Sequence, residues 1–291
     1  MGSKQEAIFR TLLYSDLFNC PLREDELFYY LNTKEKVLQK DISKIALQTP
    51  GVYKWESWYS LRRSHQDIRK RQERMRISQA KIALAQRLIR WITWIPSLLF
   101  VGISGSVAAG NAQLNDDIDF FVITQKGSLY TTRLLLLLLL QILRKRRKPH
   151  EQEARNKICL NMLIDESSLA IPESKRTVYT AREIGQLMPL FERRGTYQRF
   201  LKANAWAKSF LPHIGRKGDW ISSKGKVSQR KTFFTLVEPL TRFIEIRYMK
   251  KRQTVEQVNT HSIAFHLNDT AVRILRRYEA RLKTLELTMS R

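Results

Sequence analysis

Residues 98–124 read Leu98-Leu-Phe-Val-Gly-Ile-Ser-Gly105-Ser106-Val-Ala-Ala-Gly110-Asn-Ala-Gln-Leu-Asn-Asp116-Asp117-Ile118-Asp119-Phe-Phe-Val-Ile-Thr124. An apolar, β-forming run breaks at glycine and resumes as a second one, so two strands joined across a Gly-Ser turn are expected. Side chains alternate along a strand, which puts Asp117 and Asp119 on one face and turns Ile118 into the core. Two carboxylates in one small volume repel, and one tends to keep its proton unless a cation lies between them. Magnesium, or manganese in its place, suits an oxygen-only pair. At the turn, Gly105 allows close approach to the backbone and Ser106 adds a hydroxyl at the start of a short helix, where free amides receive a phosphate. The site so read is a nucleoside triphosphate held by Gly105 and Ser106, with metal ions bridging it to Asp117 and Asp119.

With Gly110 and Ala112 also in place, this Gly-Ser to Asp-x-Asp spacing resembles the signature of the DNA polymerase β-like nucleotidyltransferase superfamily. One position departs: the common form has serine or asparagine before the first catalytic aspartate, and this chain has Asp116. The resemblance covers about 25 residues and is fairly specific, because turn, spacing and carboxylate pair must all agree. It implies an α+β nucleotidyltransferase fold, a small mixed sheet flanked by helices. It also implies metal-dependent transfer of a nucleoside monophosphate from a nucleoside triphosphate to a hydroxyl. Superfamily members bring a third carboxylate from a neighbouring strand, and residues 157–165, Lys-Ile-Cys-Leu-Asn-Met-Leu-Ile-Asp, are the strand expected to supply it. Its centre is Asn161, a neutral amide that can ligate a metal weakly but cannot act as a base. Asp165 shares that strand face but sits about 13 Å further along. Glu151, Glu153 and Glu166 are the other acidic donors in range, and Asp165 with Glu166 reads better as a polar strand end entering a turn.

The chain has 291 residues, 43% of them hydrophobic, enough for a substantial core and two or three domains. Fifty-two Lys and Arg against 27 Asp and Glu leave a net charge of +25. Such an excess favours a polyanionic partner, here nucleic acid, RNA before DNA. Cys20 and Cys159 make neither a disulfide framework nor a zinc spacing, and the start of the chain lacks the apolar segment of a signal peptide, so a reducing cytoplasm is expected. The leucine run 134–140 is too short to span a bilayer and reads as a core helix packed on the sheet. Its end, Arg144-Lys-Arg-Arg-Lys148, would project into solvent. There it would serve the helix dipole, a nucleic acid or, third, a membrane surface.

Three regions follow. Residues 1–63 form a small module: helices near 8–13, 22–31 and 33–47, then an aromatic hairpin over 50–61 turning at Glu56-Ser57. Three helices and a two-stranded ribbon resemble a winged helix-turn-helix domain. Its third helix mixes lysines with acids, so a packing role is as good a reading as groove binding. Residues 64–172 would be the nucleotidyltransferase domain, opening with a long helix over 64–95 whose second half, including Trp91, packs on the sheet. Residues 173–291 read as an almost wholly helical, basic domain, with amphipathic helices at 179–184 and 197–201 and a phosphate-clamping or flexible loop near 215–225. The five histidines are too scattered to form a site.

Overall fold

The two expected strands exist and lie side by side, in a computed structural model that describes residues 2–148, 151, 153–215, 221–223, 233–250, 256–265 and 267–289. The chain begins with α1 (Ser3–Asp16), β1 (Leu22–Arg23), α2 (Glu24–Tyr29), a 3-10 turn (Gln39–Asp41), α3 (Ile42–Leu47), β2 (Tyr53–Trp55) and β3 (Trp58–Ser60). The hairpin is present, with Glu56 in the left-handed region at φ 51°, and β1 joins it to make the order β1-β3-β2. The helix expected over 33–47 is shorter, reduced to the 3-10 turn and α3. Ile8, Leu12, Leu27, Ile42 and Tyr59 form this unit's own core.

The long helix α4 spans His65–Ile92 and is capped by Ser64, whose hydroxyl accepts from the Asp67 amide at 3.2 Å. Ala85, Leu88, Ile89 and Ile92 pack against the sheet, but Trp91 is 61% exposed, a correction to its expected burial. Position 91 is next to Ile92 and two residues from Ile89, yet lies off the stripe they define on a helix of 3.6 residues per turn.

Next come β4 (Leu98–Ile103), α5 (Gly105–Ala108), β5 (Ile118–Thr124), α6 (Leu129–Ile142) and β6 (Ile158–Asp165). β4 and β5 pair antiparallel, β5 and β6 parallel. A parallel pair needs a crossover, and α6, the leucine run, supplies it. Leu136 and Leu140 face the sheet, while Leu138 and Ile142 are exposed. The helix is therefore not buried on every side as its composition implied.

The remainder is α7 (Val178–Gln186), β7 (Met188–Arg193), α8 (Thr196–Ala203), α9 (Ala207–Phe210), β8 (Ile221–Ser223), α10 (Phe233–Lys250), β9 (Glu256–Val258), β10 (Ser262–Phe265) and α11 (Leu267–Met289). Both expected amphipathic helices appear, as α7 and α8. The almost wholly helical reading of this region needs correction, because four of its segments complete one seven-stranded sheet, ordered β8-β7-β4-β5-β6-β10-β9. The segments are short, three to six residues, and β7 contains a proline, so their periodicity is weak in sequence. The loop expected near 215–225 lies largely outside the described residues.

The result is a mixed α/β architecture, and strand alternation sorts its two faces. Phe120 and Val122 look toward α4 and α6. Phe121 and Ile123 look toward α7 and α8. Asp119 shares parity with Phe121, so it faces α7. α10 braces α6 from outside: the Glu238 carboxylate accepts from the amides of Tyr130 and Thr131 at 2.8 and 2.9 Å, at the positive end of α6. No helix among the described residues is long and apolar enough to cross a membrane.

Candidate functional site

The turn between β4 and β5 is built from both sides. The Ser104 amide donates to the Asp119 carbonyl at 2.9 Å, lacing the turn to the strand that carries the acid. Gly105 has φ +65°, and a Cβ there would lie 2.6 Å from Asp119 Oδ2. Any side chain would meet the carboxylate, so glycine is required by space as well as by backbone conformation. The Asp116 carboxylate accepts from Ser106 Oγ and from the Gln113 amide, both at 2.9 Å. The unusual acid before Asp117 is thus a brace across the loop, and the Ser106 hydroxyl is engaged by it.

Two buried cations hold the same loop from α4. Arg71 donates to the carbonyls of Ala109, at 3.1 Å, and Gly110, and pairs with Glu26 of the N-terminal unit at 2.7 Å. Lys81 Nζ donates to the carbonyls of Leu114 at 3.1 Å and Asp116 at 2.6 Å. In sequence both belong to a helix dense in charge, and nothing in the composition separates them from their exposed neighbours.

Asp117 precedes β5 and is paired with Arg147. Arg147 comes from the basic run after α6, expected to project outward, which here turns one guanidinium back into the site. It does so because Arg146 bridges to Ile158 and brings that run alongside β6. In the parallel register Asp119 lies opposite Cys159. A ligand atom from each of Asp117, Asp119 and Cys159 falls within 4.8 Å of the others. Burial first, then the Asp117 charge, pushes Asp119 up to about 8, against the pull of Arg147. Burial and the two carboxylates hold the Cys159 thiol well above its ordinary range.

This donor set fits magnesium in a restricted way. Mg²⁺ commonly takes one or two protein carboxylates and completes its shell with water and substrate phosphate oxygens, which Asp117 and Asp119 allow. A cation between them would also offset the repulsion from Asp117, which adds to burial in raising Asp119. The thiol of Cys159 is soft and protonated, and is a poor third ligand for a hard ion.

Asn161 shares the site face of β6 with Cys159. The β5–β6 register shifts between Phe120 and Phe121, leaving Asn161 as the extra residue of a bulge. Its side chain lines the cavity but brings no charge. The other acidic donors go elsewhere. Asp165 is buried and bonded to the Ser167 amide and to His261, both at 2.9 Å. Glu166 pairs with Arg199 at 3.1 Å, Glu151 pairs with Lys157, and Glu153 is exposed.

A further acid in the cavity comes from a helix. Glu183 of α7 lines the same space as Asp119, a cavity of about 370 Å³ bounded also by Gly105, Ser106, Arg147 and Asn161. Burial alone raises Glu183 to about 7. α7 is anchored over the site by Arg182, whose guanidinium sits between the rings of Tyr14 and Tyr30, 4.7 and 4.3 Å from their centroids. Tyr14 of α1, Phe18 just after that helix and Glu26 of α2 close the cavity from the N-terminal side. Sequence reading placed 179–184 on an amphipathic helix without assigning Glu183 a role. The available signal was an acid on a helix whose buried residues, Tyr179, Ala181, Arg182 and Ile184, leave it little open face.

Compared with protein-family models, curated proteins and solved structures, the chain matches none.

Proposed function

We propose that this chain is a metal-dependent nucleotidyltransferase, built on a nucleotidyltransferase-type fold, that moves a nucleoside monophosphate from a nucleoside triphosphate to a hydroxyl. What carries the reading is the meeting, in one cavity, of two close carboxylates, one of them half-buried with its carboxyl pushed up to about 8, with a glycine turn packed against its oxygen. Asp117 and Asp119 would hold magnesium or manganese, which when bound supplies charge neutralisation at the phosphates. Gly105 and Ser106 hold the triphosphate by the close backbone approach that the turn allows. Glu183 receives the acceptor's proton, the role that Asn161 cannot fill and Cys159 fills poorly. The N-terminal unit, winged-helix-like in its elements, acts as a wall of the site. The net charge of +25 supports a nucleic acid, RNA before DNA, as a partner of the outer surface.

The test is calorimetric titration with each nucleoside triphosphate plus magnesium, followed by incorporation of labelled nucleotide into pooled RNA and into a small-molecule extract. Binding that requires magnesium, and incorporation lost on Asp117→Ala with Asp119→Ala by about a thousandfold or more, is expected. Incorporation that survives the double change overturns the reading.

A second reading is favoured by Cys159 and Asn161 on β6 and by the Arg147–Asp117 pair. In it the scaffold binds nucleic acid with weak or no catalysis. Its signature is steeply salt-dependent RNA binding, indifferent to magnesium and to the aspartates.

A further inference from the structure

Beside the first cavity lies a larger one of about 590 Å³. Among the described residues the two share Asn161 and Glu183. They follow one another along the same face of the sheet: the floor steps from Asp119 to Phe121 on β5 and from Asn161 to Met162 and Ile164 on β6. The bulge at Asn161 sits at the step, so the amide marks the boundary while the next residues turn apolar. α7 roofs both spaces, with Glu183 at the division and Ile184, followed by Leu187 just past the helix end, over the second.

The two linings differ in chemistry. The first carries Asp119, Arg71, Arg147 and Arg182. The second is walled chiefly by aliphatic and aromatic side chains, with polar groups from serines, threonines and two asparagines, the Glu183 carboxyl at its border with the first, and one described cation, Lys175. The space is partly open to solvent, with Pro172, Ser174 and Lys175 of its lining exposed. Its volume lies in the range of small-molecule sites, and such sites are largely apolar with a few convergent polar groups. A phosphodiester chain would bring one negative charge per nucleotide into a space lined, among the described residues, by a single cation, at a high desolvation cost.

We propose that this second cavity holds the acceptor, a neutral and chiefly aliphatic alcohol whose hydroxyl passes between Asn161 and Glu183 to face Asp119. The assignment rests on reading the first cavity as the nucleotide site. In the transfer the acceptor oxygen forms a bond to the α-phosphorus. The bond from that phosphorus to the pyrophosphate oxygen breaks, pyrophosphate leaves with the electron pair, and the hydroxyl proton passes to the Glu183 carboxylate.

The experiment uses the full chain and prodan, a neutral naphthalene dye whose emission rises in apolar surroundings. Prodan binding is expected, with displacement by farnesol and none by oligoadenylate. Ala271→Trp and Val272→Phe fill the cavity from α11 and are each expected to weaken prodan at least tenfold while magnesium-ATP binding stays within twofold. Asp119→Ala should do the reverse. Two variants guard against a folding defect, which thermal melting and the retained ATP binding would expose. Prodan binding untouched by both fillings, or displaced by oligoadenylate, overturns the acceptor assignment. Failure of ATP to bind while prodan behaves as expected overturns the nucleotide reading instead.

Discussion

Replacing Asp119 by asparagine should make the metal-free protein more stable and deaf to magnesium. The acid is half-buried beside Asp117 and its carboxyl is pushed from 3.8 to about 8. A carboxyl raised in the folded state binds its proton more tightly there than in the unfolded chain. Its contribution is therefore fully present at low pH and is lost as pH rises from about 4 toward 8. At about 1.36 kcal/mol per unit, holding that proton at pH 7 costs on the order of 4 kcal/mol relative to an exposed carboxylate. Asparagine removes the titration but keeps a buried amide to satisfy, so a net gain of about 2 kcal/mol is expected. In a chain of this size that is about 4 °C or more in Tm. Magnesium at about a hundred times its Kd should stabilise the parent by about 2.7 kcal/mol through linkage, and the variant hardly at all. The assay is thermal melting from pH 4 to pH 8, in EDTA and in magnesium. The stability gap should close and then reverse as pH falls toward 4. A variant that melts below the parent at pH 7 in EDTA, or that gains as much from magnesium, would refute the electrostatic account.

Other changes have distinct signatures. Glu183→Gln should leave magnesium-ATP binding intact and depress single-turnover transfer about a hundredfold or more, read by rapid quench. Arg147→Ala frees Asp117 from its ion pair, so titration should find magnesium bound several-fold more tightly at low salt. Arg71→Met leaves Glu26 and two loop carbonyls without their cation, a loss of about 3 kcal/mol or more by urea unfolding. Gly105→Ala forces a methyl toward Asp119 Oδ2 and an alanine into the left-handed region, costing about 1–2 kcal/mol from the backbone alone; magnesium binding by calorimetry should disappear with it.

How much of this was readable in one dimension varies by element. Segments with long, strong periodicity were legible: α4, the aromatic hairpin, and the two strands around Gly105. Asp117, Asp119 and Gly105 were legible because the turn keeps them within fifteen residues and strand alternation does the rest. β7 to β10 were not, because they are short and take their identity from the sheet they join. Asp116 was legible as a departure from a pattern, but its use as a brace depended on where Ser106 and Gln113 fold.

Sequence by itself determined the close carboxylate pair, the glycine turn, the strongly basic balance and a mixed α/β class, since each depends on residue type and local spacing. Tertiary structure alone decided which residue stands opposite Asp119. Strand register is set by packing across the sheet, and it put Cys159 there with Asn161 in a bulge beyond. It also brought Glu183 from a helix more than sixty residues away, turned Arg147 inward, and opened a second cavity beside the first. Those arrangements arise from long-range packing of elements whose local sequences would look the same had they packed otherwise.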